Sequence, residues 1–254
     1  MTVHLVGAGP GDPELLTVRA AALLADADVV LYDRLVHPDV LALAPPGAEL
    51  IDVGRRPGDP ESLQSRIHAI LIEKADRYDT VVRLKGGDPY VFGRGGEDEQ
   101  VLRDAGVDVE VTPGITSAIA APAAAGIPVT LRGVSSGFTV VTGHQDPATD
   151  RHLDWDALAR LGTTLVVLMG ASRAGILADR LLAAGMEPST PVAVVTDATL
   201  PTQEVHRTTL AGLGELPVRA PATIVIGEVA ASSGDEGRLG ELATAALSAD
   251  GGSP

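Results

Sequence analysis

Cysteine is absent from all 254 residues. That excludes disulfides, thiolate nucleophiles and cysteine-ligated metals, and it leaves the compartment open. Aromatic residues are scarce, with one tryptophan, three tyrosines and two phenylalanines. Hydrophobic residues still make up 45% of the sequence, so Ala, Val and Leu must fill the core. Lysine occurs only as Lys74 and Lys85, and nearly all positive charge is arginine. No segment approaches the roughly 20 apolar residues of a membrane span. Gly-Pro-Gly-Asp interrupts the first apolar run where a secretory signal would need continuity. A cytoplasmic protein without membrane or nucleic-acid partners is expected, because a formal net charge of −15 disfavours polyanionic surfaces. A local arginine cluster could still hold an acidic small molecule.

One more absence concerns the stretch GAGPGD at residues 7–12. The dinucleotide fingerprint G-x-G-x-x-G ends in a glycine that lets the next helix pack on the strand and present its N-terminus to a pyrophosphate. Gly7 and Gly9 fit, but Asp12 stands at the third position and would repel an anion. Pro10 has no N–H to offer a phosphate. The turn is glycine-rich and lacks phosphate chemistry.

What is present is an alternation of short β-branched runs with helical patterns. Residues 3–6, 29–32, 49–53, 80–84 and 108–111 read as strands. GDPESLQSRIHAILIEKA reads as the clearest helix, with Asp59 as N-cap, Pro60 at the first helical position and Leu63, Ile67, Ile70 and Leu71 on one face. This rhythm predicts a mostly parallel sheet covered by helices. Pro113 and Gly114 then break the pattern. Residues 137–141, 164–168, 192–196, 205–210 and 223–229 read as a second set of strands, with a helix from about Ala171 to Ala184 ended by Gly185. No long crossover helix separates the last two strands, so this half is expected to be partly antiparallel. The fold class is therefore α/β, in two lobes: residues 1–112 with a mostly parallel sheet, and residues 113–230 with a mixed one. Residues 231–254 are small, polar and glycine-rich, and a disordered tail is expected there.

Chemistry-bearing residues gather at the predicted strand ends. Asp33, in YDRLV, follows the second strand, and Arg55 and Arg56, in VGRRPG, follow the third. RLKGGDPYVFGRGGE follows the fourth, its paired Gly86 and Gly87 allowing close backbone approach and Asp88 able to accept hydrogen bonds. Thr116 and Ser117, in VTPGITSA, stand at a helix start, where capping and ligand binding are both open readings. In open α/β folds this edge is where ligands bind.

These segments, with GIPVTLRG and VTGH, occur in an order that resembles the tetrapyrrole methylase family over nearly everything from Val3 to Val229. The pairing of YDRLV with RLKGGDP is most similar to its uroporphyrinogen-III C-methyltransferases. The resemblance implies a homodimer of two-lobed subunits with S-adenosylmethionine in the cleft between the lobes and no metal. It implies donor contacts at Pro10, Gly86, Gly87, Asp88, Val91, Thr116, Ser117, Met169 and Ala198, and Asp33 as proton acceptor. Arg34, Arg56, Arg94 and Arg132 become candidate clamps for substrate carboxylates. The implied reaction methylates uroporphyrinogen III at C2 and C7 to give precorrin-2, for sirohaem or cobalamin. Arg55 stands where relatives often carry a proposed proton-donating lysine, and a guanidinium does not give up its proton. Methylation of a later corrin intermediate and nucleotide binding without catalysis are the rival readings.

Overall fold

The computed structural model describes residues 2–54 and 62–232. The protein divides into two compact units, residues 1–116 and 117–254. In the first, the β-branched runs become β1 (Thr2–Gly7), β2 (Val29–Tyr32), β3 (Glu49–Asp52), β4 (Thr80–Lys85) and β5 (Asp108–Thr112). They pair in the order β3-β2-β4-β1-β5, every pair parallel. Parallel pairing needs a crossover between successive strands. α1 (Val18–Ala25), α2 (Pro38–Leu41), α3 (Ser62–Ala75) and α4 (Gly95–Asp104) lie in those crossovers.

Side chains alternate between the two faces of each strand. Val3, Leu5, Val29, Leu31 and Val81 pack against Ile67 and Leu71 of α3 and Leu102 of α4. Val6, Val30, Val82 and Leu84 pack on the opposite face against Ala20 and Leu24 of α1 and Val40 of α2. The predicted apolar face of α3 is correct: Leu63, Ile67, Ile70 and Leu71 all join that first cluster. Its predicted start at Asp59 and Pro60 lies outside the described residues.

All five C-terminal strand ends share one edge, and there the backbones lie unusually close. Gly9 N–H donates to Gly87 O at 3.1 Å and Gly87 N–H to Gly9 O at 2.8 Å, which zips the loop after β1 to the loop after β4. A Cβ on Gly114 would lie 2.2 Å from Gly87 O and 2.8 Å from Gly7 Cα. No side chain fits there.

The glycine turn does not lead straight into a helix. Asp12 Oδ1 instead accepts from Glu14 N–H at 2.9 Å and caps a short 3-10 turn, Pro13–Leu15. α1 starts only at Val18, where Thr17 Oγ1 accepts from Ala20 N–H at 3.1 Å. The third glycine is absent because no helix packs at that point.

The second unit contains α5 (Ser117–Ala124), β6 (Phe138–Thr142), α6 (Trp155–Arg160), β7 (Thr164–Leu168), α7 (Ala174–Ala183), β8 (Pro191–Thr196), β9 (Glu204–Thr209) and β10 (Ala222–Ile226). Its sheet runs β6-β7-β10-β8-β9. β6 and β7 are parallel, while β10 opposes both its neighbours and β9 opposes β8, giving the expected mixed sheet. Trp155, Leu177 and Leu181 cover one face with Leu165, Val167, Val194 and Ile224. Two predicted boundaries move. The last strand stops at Ile226, not Val229, because Gly227 adopts φ +136° and residues 228–231 coil into a 3-10 turn. The helix predicted from Ala171 opens as a 3-10 turn, Ala171–Arg173, before α7 begins.

Packing at the glycine edge makes a direct prediction. Gly114→Ala should lower the unfolding free energy by about 2 kcal/mol or more, since no neighbour there is a movable side chain. Gly96, in α4, has nothing within 4 Å of an added Cβ, so Gly96→Ala should be neutral or stabilising. Urea denaturation midpoints of the two variants check the contrast.

Candidate active site

Asp33 follows the last residue of β2, and its backbone N–H donates to Leu84 O at 3.1 Å. Arg34 is exposed beside it, and a Cβ on Gly54 would meet the Arg34 backbone N at 2.5 Å, so the ends of β2 and β3 are held close together. Pro10 follows Gly9 in the zipped turn, opposite Gly87. Val91 N–H donates to Asp88 O at 3.2 Å, which folds the glycine loop back on itself. Asp33, Arg34, Pro10, Gly86, Gly87, Asp88 and Val91 are thus gathered at one edge of one sheet.

Gly86 and Gly87 are small for different reasons. Gly87 has φ +66° and its backbone is crowded, whereas a Cβ on Gly86 would meet only Leu35 Cβ, at 3.8 Å. Only the second glycine is demanded by the fold. The openness over Gly86 is a feature of the surface. Asp88 already uses both carboxylate oxygens on backbone: Oδ1 accepts from Tyr90 N–H at 2.8 Å and Oδ2 from Gly114 N–H at 3.1 Å. What it offers a ligand is therefore its remaining lone pairs and backbone.

Beneath this edge lies a buried charge network that the strand and motif reading missed. Arg83 and Lys85, two apart on β4, project from the face that α3 and α4 cover. Asp98 of α4, fully buried, accepts from Lys85 Nζ at 2.7 Å through Oδ2. Its Oδ1 accepts from Gln64 Nε2 at 2.6 Å and from the Nε2–H tautomer of His68 at 2.9 Å, both on α3. Arg83 Nη2 donates to Asp33 Oδ1, and its Nε lies 3.9 Å from Asp98 Oδ2. Burial pushes the Asp98 carboxyl up, but Lys85, Arg83 and His68 outweigh it and hold the group below its ordinary value. Burial and the nearby Arg83 push the Lys85 ammonium down. The readable signal was a central strand, VVRLK, whose apolar alternation is broken by two cations that cannot be buried alone.

Arg94 is the N-cap of α4, in a left-handed conformation with φ +58°. It donates to both Glu97 oxygens, at 2.9 and 2.6 Å, and this contact holds the Glu97 carboxyl below its usual range. Arg55 and Arg56 lie outside the described residues. Thr116 ends the first unit and Ser117 begins α5 of the second.

In the second unit, β6, β7 and β8 all end at one sheet edge. Met169 immediately follows β7, with φ +57° and a half-exposed side chain. Ala198 follows β8 between Asp197, φ +46°, and Thr199, φ +69°. Asp197 Oδ2 accepts from Arg219 Nη2 at 2.8 Å, and Thr199 N–H donates to Gln203 Oε1 at 2.8 Å, so the turn is pinned on both sides. Left-handed backbone at non-glycine residues costs about 1–3 kcal/mol each and clusters at functional sites. Among the described residues there are five, Phe92, Arg94, Met169, Asp197 and Thr199, and all adjoin or coincide with candidate positions. Arg132 is exposed on a separate turn of this unit. A surface depression lined by Thr2 and residues 75–79 lies at the opposite edge of the first sheet and holds none of the candidate residues. Among the described residues, no group of three or more His, Asp or Glu side chains is arranged to hold a metal, and no helix is long and apolar enough to cross a membrane.

The fold and this edge match one family: residues 2–214 fit the Tetrapyrrole (Corrin/Porphyrin) Methylases, and the protein belongs to that family. Among particular relatives, it is 49% identical over 232 residues to an S-adenosyl-L-methionine-dependent uroporphyrinogen III methyltransferase from Methanosarcina barkeri, covering 89% of this chain and 91% of that one. A uroporphyrinogen-III C-methyltransferase from Pseudomonas aeruginosa is 48% identical, with 89% and 93% covered. The crystal structure of a uroporphyrin-III C-methyl transferase from Thermus thermophilus complexed with S-adenyl homocysteine superposes with a TM-score of 0.79 at 45% identity, covering 91% of this chain and 94% of that one.

The buried network predicts a specific response to substitution and pH. Asp98→Asn strands Lys85 and Arg83 without their shared carboxylate and should cost about 3–5 kcal/mol. Because the folded-state value of Asp98 lies below the unfolded one, its stabilisation is complete above the unfolded value and is lost as pH falls through the folded one. Urea midpoints measured from about pH 5 down to about pH 2 should therefore fall less steeply in Asp98→Asn than in the parent.

Proposed function

We propose that this protein methylates uroporphyrinogen III at carbon, using S-adenosylmethionine and giving precorrin-2. The observation that carries the reading is the edge of the first sheet, where an open glycine loop lies beside a partly exposed carboxylate, Asp33, that is braced from beneath by Arg83. The likeness to relatives named for this activity supports it. The donor-side residues suit a molecule without phosphate. Pro10, Gly86, Gly87 and Val91 offer backbone and apolar surface, and none carries a cation. We assign donor binding to these four with Asp88, Thr116, Ser117, Met169 and Ala198. Met169 and Ala198 would present backbone groups turned outward by the left-handed conformations at and beside them.

When bound, S-adenosylmethionine supplies an electrophilic methyl on a positively charged sulfur. The protein's task is then to align the macrocycle carbon with that methyl and to remove a proton from the ring. Asp33 is the proposed proton acceptor. Arg34, Arg56, Arg94 and Arg132 are the proposed clamps for substrate carboxylates, and Arg55 is assigned to the same work because its charge is permanent. Arg94 would exchange its Glu97 pair for a substrate carboxylate. We further propose a cytoplasmic homodimer, with residues 1–112 carrying the substrate side and residues 113–230 the rest of the donor site. The proposed tail, 231–254, lies almost wholly outside the described residues.

Incubating the protein with uroporphyrinogen III and methyl-labelled donor, then counting methyls per ring, tests the activity directly. Two methyls on this substrate are expected; label transferred only to a later corrin precursor would favour the rival enzyme reading. Asp33→Asn should lower turnover by about 10²–10⁴-fold, the usual worth of a general base, while S-adenosylhomocysteine affinity stays unchanged by calorimetry. Gly86→Leu, whose Cβ would meet nothing closer than Leu35 Cβ at 3.8 Å, should do the reverse and abolish that affinity, with the fold checked by its urea midpoint. Sedimentation at micromolar concentration should give the mass of a dimer.

A further inference from the structure

Arg83 is an internal residue of a central strand and only 3% exposed. Val81, two residues earlier on the same face, is an ordinary core residue. A buried guanidinium is costly unless its donors are answered and its charge is balanced. Here Nη1 donates to Leu84 O at 3.1 Å and reaches Leu31 O of β2 at 3.4 Å. Nε faces Asp98 Oδ2 at 3.9 Å without a hydrogen bond. The guanidinium plane is thus set by two strands and a buried carboxylate, and Nη2 is then aimed at Asp33 Oδ1.

Asp33 is held by its backbone as well. Its N–H donates to Leu84 O at 3.1 Å, and its carbonyl accepts from Val36 N–H at 3.0 Å. With Oδ1 occupied by Arg83, Oδ2 accepts no hydrogen bond among the described residues. The Asp33 side chain is 30% exposed, enough for one oxygen to meet a ligand and later return a proton to water.

We propose that Arg83 is a positioning residue that fixes Asp33 by Oδ1 and presents Oδ2 as the accepting oxygen. This rests on the reading of Asp33 as the proton acceptor. In the transfer, the proton passes from the macrocycle to Oδ2 and its bonding electron pair stays with the ring. The carboxylate becomes a neutral acid whose Oδ1 still accepts from Arg83. Asp98 then continues to balance the guanidinium from the other side, so the cation is never left alone in the interior. Arginine suits this place because its planar fork answers several acceptors at once.

The test compares Asp33→Asn, Arg83→Met, Arg83→Lys and the double variants by single-turnover methyl transfer from labelled donor, which reads small residual rates. Arg83→Met should slow transfer by about 10²-fold, the scale of a misplaced catalytic group. Its S-adenosylhomocysteine affinity should match the parent's by calorimetry. Arg83→Lys, which keeps the charge, should recover part of the rate. The decisive readout is the double variant: Asp33→Asn/Arg83→Met should be no slower than Asp33→Asn alone, because Arg83 acts only through Asp33. A structural defect would instead multiply the two losses, and that result overturns the proposal. So does a folded Arg83→Met that transfers methyl at the parent rate. If Arg83→Met does not fold, Arg83→Lys and its double with Asp33→Asn carry the same comparison. Asp33→Asn retaining full rate is a different failure, since it removes the proton-acceptor reading itself whatever Arg83 does.

Discussion

The buried contact between Asp98 and Lys85 is the constraint around which the first unit is arranged. A carboxylate with no exposed surface must find cations and donors within the fold, and it finds them on two elements. Lys85 comes from the end of β4, and Gln64 and His68 come from one face of α3. Satisfying that one side chain sets how α3 and α4 lie over the sheet. The buried ion pair is weak evidence for stability, since two hydrophobic residues of similar volume could serve as well. Its value lies in geometry. It also balances Arg83, and through Arg83 the interior reaches the edge where Asp33 stands.

Above this polar floor, the edge is built from backbone. A Cβ on Gly7 or Gly114 would come within 3 Å of neighbouring backbone, and Gly87 sits between them at φ +66°, so the strand ends meet through backbone alone. In the first unit the loop after β4 carries Phe92 and Arg94 in left-handed conformations; in the second unit, taken by itself, the turns after β7 and β8 carry Met169, Asp197 and Thr199 in the same region. Left-handed backbone at non-glycine residues is a conformation that clusters at functional sites.

Much of this was legible in residue order. The α/β class, the parallel first sheet, the mixed second sheet and the sheet edge all follow from periodicity and from where Gly, Asp and Arg fall. Asp33, Pro10 and the Gly86–Asp88 stretch are found at one edge because parallel strands end together. What could not be read were relations set by tertiary approach. Gly114 looks like a helix breaker in sequence, yet its lack of a Cβ serves Gly87 and Gly7, which are distant along the sequence. The engagement of Asp88 with Tyr90 and Gly114 backbone is equally invisible to a motif. The cations of VVRLK were in plain view, but their partners lie on helices whose packing only the fold reveals. Strand ends such as Ile226 and the 3-10 start at Ala171 depend on local dihedral choices that periodicity does not resolve.

The scarcity of lysine has a chemical corollary once the fold is known. Of the two lysine amines, Lys85 is 2% exposed and hydrogen-bonded to Asp98. Lys74 donates to both oxygens of Glu49, at 2.8 and 2.6 Å, lies over the Tyr78 ring and is 14% exposed. Acylation requires a free, deprotonated amine that a reagent can approach; Lys85 offers none in the folded state, and Lys74 must first leave Glu49. Among side chains, amine-directed labels and crosslinkers would therefore have only these two engaged amines to react with. Acylation at Lys85 would register the rare moments when α4 lifts from the sheet, making that residue a built-in reporter of opening in the first unit.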